Sequence, residues 1–192
     1  MATIIGLVGS PRDGNTKALV EAALREAEAA GLTTELVHLG RMNIAPCKAC
    51  DRCQKEDRCM EEDDFQKVAA KLDGAQGVVM GSPVYFGGVS AQLKAFMDRT
   101  RYLRRKELLK DVVGGAIAVG AARNGGQETT IQQIHNFFFI QGMIVVSDEA
   151  TLHYGGTGCA KKKGEVEGDK EGLETSRNLG RHVASVVKKL IG

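Results

Sequence analysis

Four of the five cysteines lie in one short stretch, Cys47-x2-Cys50-x2-Cys53-x5-Cys59. Thiols spaced this closely present thiolates to one centre, and soft thiolate ligands select zinc or iron–sulfur clusters. Three cysteines at two-residue gaps match the run by which a short loop holds a cluster, although the last gap here is five residues where that run has three. The chain has no second cysteine set, so all four are expected to serve one site. Zinc is the structural alternative. Its ribbons use two separated pairs around a tetrahedral S4 centre, and a compact triplet plus one departs from that. Disulfides fit poorly. The first apolar stretch, Ile4 to Val8, is too short for the core of an export signal, and thiols kept inside the cell stay reduced.

A second chemistry-bearing group is Gly9-Ser10-Pro11-Arg12-Asp13-Gly14-Asn15-Thr16, between an apolar run and a helical pattern. A strand-to-helix turn of this composition offers hydroxyls and unpaired amides at a helix N-terminus, where the dipole also favours an anion. Arg12 adds a charge-assisted contact. Gly9 and Gly14 have the spacing of a triphosphate-binding loop, but Asn15 stands where its Lys would be. The dinucleotide fingerprint is also absent, and His38-Leu39-Gly40 replaces its acidic ribose reader. A terminal monophosphate fits best. Two further loops follow later apolar runs: Gly81-Ser82-Pro83-Val84-Tyr85-Phe86-Gly87-Gly88 and Gly120-Ala121-Ala122-Arg123-Asn124-Gly125-Gly126-Gln127. The aromatics and close-approach glycines of the first suit a flat ring, and the amides of the second suit its polar edge. A monophosphate joined to a planar heterocycle describes FMN.

At these residues the chain resembles a known family. Gly9-Ser10-Pro11-Arg12 with Asn15-Thr16 looks like the phosphate loop of the NADPH-dependent FMN reductases. Ser82-Pro83-Val84-Tyr85-Phe86-Gly87, continuing from Ser90 to Arg99, is similar to their second signature. The resemblance implies a flavodoxin-like fold and FMN, with Ser10, Arg12, Asn15 and Thr16 on the phosphate and Pro83, Val84, Tyr85, Phe86 and Gly87 along the isoalloxazine. Arg123, Asn124, Gly125, Gly126 and Gln127 are carried over as a third contact. With the cysteine set, the chain also resembles the iron–sulfur flavoproteins of anaerobic archaea and bacteria. That likeness implies one 4Fe–4S cluster on Cys47, Cys50, Cys53 and Cys59, one FMN, and a homodimer or homotetramer through which electrons pass.

The elements that must position these residues alternate. Apolar runs at Ile4–Val8, Thr34–Leu39, Gly77–Gly81, Val112–Val119 and Met143–Ser147 read as strands covered on both faces. Between and after them lie helical stripes beginning near Asn15, Asp63, Ser90, Ile131 and Leu173, with Gly31 and Gly74 as stops. This predicts an α/β protein with a doubly wound five-stranded parallel sheet in the flavodoxin-like order 2-1-3-4-5. Its ligands lie beyond the carboxyl ends of the first and third strands. The 192 residues make a single domain, with residues 41–62 as a cysteine-bearing insert after strand two. Thr151 to Lys170 reads as a long Gly- and Lys-rich loop.

Hydrophobic residues at 43%, charged residues at 26% and a net charge of +2 fit a globular chain and argue against a nucleic-acid binder. No apolar run reaches the ~20 residues of a membrane helix, and a cytoplasmic location is expected. The basic stretch Arg99, Arg101, Arg104, Arg105, Lys106 reads as a solvated helix end, or less simply as a docking face for an acidic carrier. Lys161-Lys162-Lys163 reads as an exposed loop, and Cys159 as a plain thiol in a loop. The four histidines lack metal spacing. Phe137-Phe138-Phe139 cannot all face one core. The expected function is electron transfer between a one-electron carrier, such as a ferredoxin, and a flavin-linked or small-molecule acceptor. The alternatives are an NAD(P)H-dependent FMN or quinone reductase with a zinc-bound or metal-free cysteine loop, and a redox sensor.

Overall fold

Strand β1 (Thr3–Val8) alternates its side chains between two apolar layers, and that alternation organises the molecule. In this computed structural model, which describes residues 2–151 and 153–192, β1 pairs with β2 (Thr33–Val37) on one side and β3 (Gly77–Pro83) on the other, all parallel. Strand β4 (Val113–Gly120) continues the sheet, and the order is β2-β1-β3-β4-β5 with β5 at Ile144–Val146. Ile5 and Leu7 point to one face with Val78, Met80, Ala116 and Ala118. Ile4 and Val8 point to the other with Val79, Val113, Ile117 and Val119. Period-two alternation between two apolar layers is how a sheet covered on both faces reads.

Helices α1 (Asn15–Ala29) and α6 (Lys170–Ile191) cover the second layer through Leu19, Val20, Leu179, Val183 and Val187. They pack so closely that a Cβ on Gly180 would lie 2.2 Å from the Ala23 carbonyl oxygen. Helices α2 (Phe65–Leu72), α3 (Ala91–Asp98) and α5 (Gln127–Gln141) cover the first layer through Phe65, Phe96 and Phe138. The expected stops hold: Gly31 and Gly74 sit at φ +85° and +86°, where a side chain would be strained. A five-residue helix, α4 (Arg101–Arg105), follows α3 in the stretch read as a solvated helix end.

The edge of the sheet departs from the five-strand expectation. Among the described residues the sheet has six strands, because β5 pairs only with Val113–Gly115. A separate strand β6 (Gly156–Cys159) then takes up the same edge of β4 from Ile117 to Gly120. Gly-Thr-Gly-Cys carries no apolar run, so composition hides it. Its glycines are fixed by packing: a Cβ on Gly158 would meet Leu19 Cδ1 at 2.6 Å. Cys159 therefore ends a strand, its amide donating to Asp169 Oδ2 at 2.6 Å. Of the phenylalanine run, Phe137 and Phe138 are buried and Phe139 is exposed. Among the described residues no helix is long and apolar enough to cross a membrane.

Candidate functional site

The loop after β1 is built from main-chain bonds. Gly9 N donates to Gly81 O at 2.8 Å, which locks the loop to β3. Ser10, 6% exposed, accepts the Arg12 amide on Oγ at 3.1 Å and so fixes the turn. The Ser10 carbonyl receives His38 Nε2 at 2.8 Å from the segment after β2. Helix α1 then follows Gly14 at its N-cap, without a side-chain cap and without an acid in its first turn. Its first amides are therefore left for an anionic ligand. Asp13, the nearest carboxylate, is engaged by Lys17 at 3.2 Å and Arg41 at 3.3 Å, and the Lys17 ammonium holds its carboxyl below the ordinary value.

These residues line a cavity of 150 Å³ beyond the carboxyl ends of β1, β3 and β4, with Ser10, Arg12, Asn15, Thr16, Pro83, Val84 and Tyr85 in its wall. Ser90 ties its two sides together. It is fully buried, caps α3 by accepting the Leu93 amide at 3.2 Å, and donates its hydroxyl to Gly9 O. Its own amide donates to Ser82 Oγ at 3.0 Å.

Beyond Tyr85 the chain forms a two-residue hairpin to Gly88, with Phe86 at φ +51° and Gly87 at φ +77°. Two positive φ values define the primed turn that matches strand twist. Thr129 Oγ1 donates to Gly87 O at 2.8 Å, and Val89 N donates to Gln133 Oε1 at 3.1 Å, anchoring the hairpin to α5. The hairpin leaves Phe86 fully exposed, outside the cavity wall.

The loop after β4 is occupied with its own structure. Gln127, 1% exposed, donates to Ala122 O at 2.8 Å and Gly158 O at 3.0 Å, and accepts Gly125 N at 2.7 Å. Arg123 pairs with Asp169 and reaches Thr157 O at 2.8 Å, which fastens β6 to the start of α6. Ala121, not Arg123 to Gln127, reaches the cavity. The wall also contains Ala160, Lys161 and Lys163 from the segment read as a free loop. That approach depends on a contact across 147 residues, from Asn15 to Lys162, which local pattern does not carry.

The four cysteines gather at a second cavity, of 190 Å³, lined by Cys47, Cys50, Cys53 and Cys59 with Arg99 and Arg101. Ala49 and Asp51, on either side of Cys50, have φ of +51° and +56°. Left-handed backbone at residues with a Cβ costs roughly 1–2 kcal/mol each, so the surroundings must enforce this path. The thiols surround the cavity instead of meeting at a point: among the described residues no three His, Cys, Asp or Glu are placed to hold a single ion. Burial pushes the Cys53 thiol up, a cost that ligation of a thiolate has to offset.

The two ends of the loop are tied down by an arginine. Arg99, 2% exposed, donates to Ala45 O at 3.2 Å, Glu61 O at 2.6 Å and Asp63 Oδ2 at 2.5 Å, and its Nε lies 3.4 Å from Cys59 Sγ. Its guanidinium lies 4.5 Å from the centroid of the Phe65 ring, within range of a cation–π contact. Burial opposes the charge on Asp63, yet Arg99 and the amides of Ala45 and Phe65 hold its carboxyl below the carboxylate range. Both arms of the insert are thus fixed to the start of α2, where Gln66 also bonds Cys59 O at 3.0 Å and Asp64 accepts Asn43 N at 2.9 Å. At the rim Arg101 pairs with Asp51 at 2.6 Å and Arg105 with Asp57 at 2.7 Å. The basic stretch therefore docks the cysteine loop. The histidines serve structure: His135 is buried, with its basicity lowered by desolvation, and His182 Nδ1 meets Ser147 O at 2.8 Å.

The chain is similar to known proteins. Residues 2–157 match the family model of the NADPH-dependent FMN reductases. An iron–sulfur flavoprotein of Methanocaldococcus jannaschii is 54% identical over 187 residues, covering 96% of this chain and 97% of that one. One from Methanosarcina thermophila is 43% identical over 178 residues, covering 92% of each. A solved WrbA-like flavodoxin from Agrobacterium tumefaciens has the same fold, with TM-score 0.71 and 23% identity over 98% of this chain and 99% of its own. The chain therefore belongs to the NADPH-dependent FMN reductase family and, by identity along nearly its whole length, to the iron–sulfur flavoproteins.

Proposed function

We propose that the protein is a flavin oxidoreductase that binds FMN at the cavity between β1, β3 and β4 and one 4Fe–4S cluster at the four thiols. In this reading it moves electrons between a one-electron carrier, such as a ferredoxin, and a flavin-linked or small-molecule acceptor. One observation carries the reading: the chain holds two separate cavities, one faced by uncapped helix amides and the other lined by all four clustered cysteines. The cluster and the flavin would supply one-electron and two-electron chemistry, and the protein supplies binding, orientation and local charge. Ser10, Thr16 and the first amides of α1 take the phosphate, and Pro83, Val84 and Tyr85 form an apolar wall for the ring. Arg99 places an N–H donor against Cys59, and Ala49 N lies 3.5 Å from Cys47 Sγ, a donor set suited to thiolates that carry negative charge.

Anaerobic purification followed by flavin, iron, zinc and sulfide analysis on one sample tests this. Stoichiometric FMN with four irons and four sulfides is expected. Flavin with zinc, or with no metal, would favour a nicotinamide-dependent FMN or quinone reductase, for which the family model speaks. In that case a cysteine-free variant keeps its NAD(P)H oxidation. Assembly into a homodimer or homotetramer belongs to the same proposal, and exposed Phe86, Phe139, Ile140 and Tyr154 offer apolar surface for it.

A further inference from the structure

The segment from Lys161 to Gly164 is held over the start of α1 by one side chain. Asn15 Nδ2 donates to Lys162 O at 2.8 Å, and Asn15 Oδ1 accepts Gly164 N at 2.9 Å. The amide of Asn15 is therefore spent on the protein itself and not on a ligand. Glu165 fixes the same turn from outside, accepting the amides of Lys161 and Lys162 at 2.8 Å each. Fully buried Val166 roots the turn in the core. The Lys163 stem lies across Gly14, where a Cβ would meet Lys163 Cγ at 3.3 Å. Lys161 and Lys163 line the cavity that holds Ser10 and Thr16. Thr16 is 3% exposed, and its hydroxyl has no hydrogen-bond partner among the described residues. Asp13 lies within electrostatic range of Lys163 and Glu165 of Lys161, but among the described residues neither lysine makes a close ion pair.

We propose that Lys161 and Lys163, positioned by Asn15, close the phosphate end of this cavity and make the protein select a flavin with a terminal phosphomonoester over one without it. The inference rests on the FMN reading and adds the residues that enforce it. A phosphomonoester carries close to two negative charges near neutral pH. Lys161, Lys163 and Arg12, which line the same cavity, match it together with the uncapped amides, and a neutral ribityl end offers them no charge-assisted contact.

The test titrates full-length apoprotein with FMN and with riboflavin, following flavin fluorescence. Lys161→Gln/Lys163→Gln is expected to weaken FMN binding about ten- to a hundredfold while riboflavin binding changes less than about twofold. Asn15→Ala is expected to move FMN in the same direction by a smaller factor, and Lys161→Arg/Lys163→Arg to restore it. The FMN preference of the wild type should shrink as salt rises, and that of the glutamine variant should respond less. Equal losses for both flavins would assign the lysines a role in folding only, and unchanged FMN binding would remove them from the site; either overturns the proposal. A wild-type chain that binds neither flavin would overturn the FMN reading itself.

Discussion

The two cavities are built by opposite means. The one beyond β1, β3 and β4 is made largely of main chain, with its loops fastened by Gly9 to Gly81 and by Ser90 to Gly9. The cysteine cavity lies on an insert with little regular structure, and its shape depends on side chains, above all Arg99. A main-chain site is distributed and tolerates the loss of any one side chain. A site held through one buried ion is concentrated, and fails at that ion.

The largest effect expected from this contrast is chemical. Cys59→Ala should lose essentially all iron while keeping its flavin, read from metal and flavin content of one anaerobic preparation. Retention of iron would remove Cys59 from the metal site, and loss of the flavin would mean that the two cavities are not independent. Next comes Arg99→Met. It strands the buried Asp63 carboxylate, and removing one partner of a buried pair costs about 3–5 kcal/mol. For a chain of this size that lowers the melting temperature by roughly 6–20 °C. Asp63 is held below its unfolded pKa. The pair therefore contributes its full stability above the unfolded value and loses it as pH falls through the lower folded value. Asp63→Asn should flatten the acid limb of the melting curve. Ser90→Ala should cost about 1 kcal/mol for the lost cap, with a small decline in FMN affinity. Arg105→Ala, at the exposed rim, should leave melting within error, since screened pairs contribute little. A large drop there would extend the concentrated design to the rim.

The strands β1, β3 and β4 were legible because both faces are buried, so their apolar residues run nearly unbroken. The cysteine set was legible because its ligands are close neighbours in sequence. Strand β6 was not, since its glycines are selected by Leu19, Ile117 and Ser176 and not by apolarity. Arg99 read as one more cation at a helix end, because its burial depends on Asp63, 36 positions away. Lys161 and Lys163 are exposed, as the sequence reads, and what it does not carry is their approach to the cavity, which runs through Asn15. The family resemblance puts Asn15 on the phosphate; in the structure it lines the cavity while its amide clamps the loop at Lys162 and Gly164.

Helix α3 joins the two regions directly. Its cap, Ser90, is bonded to Gly9 at one cavity, and the residue that follows its last turn, Arg99, is bonded to Cys59 and Asp63 at the other. Eight residues make a strut about 12 Å long. Neither end has a slack loop to absorb a displacement, so a tilt imposed at one cavity is delivered to the other as motion of a rigid body. The spacing between the two sites is thus set by a count of helical residues, and one residue more or less in α3 would change both their separation and, by about 100° of rotation, their relative aspect.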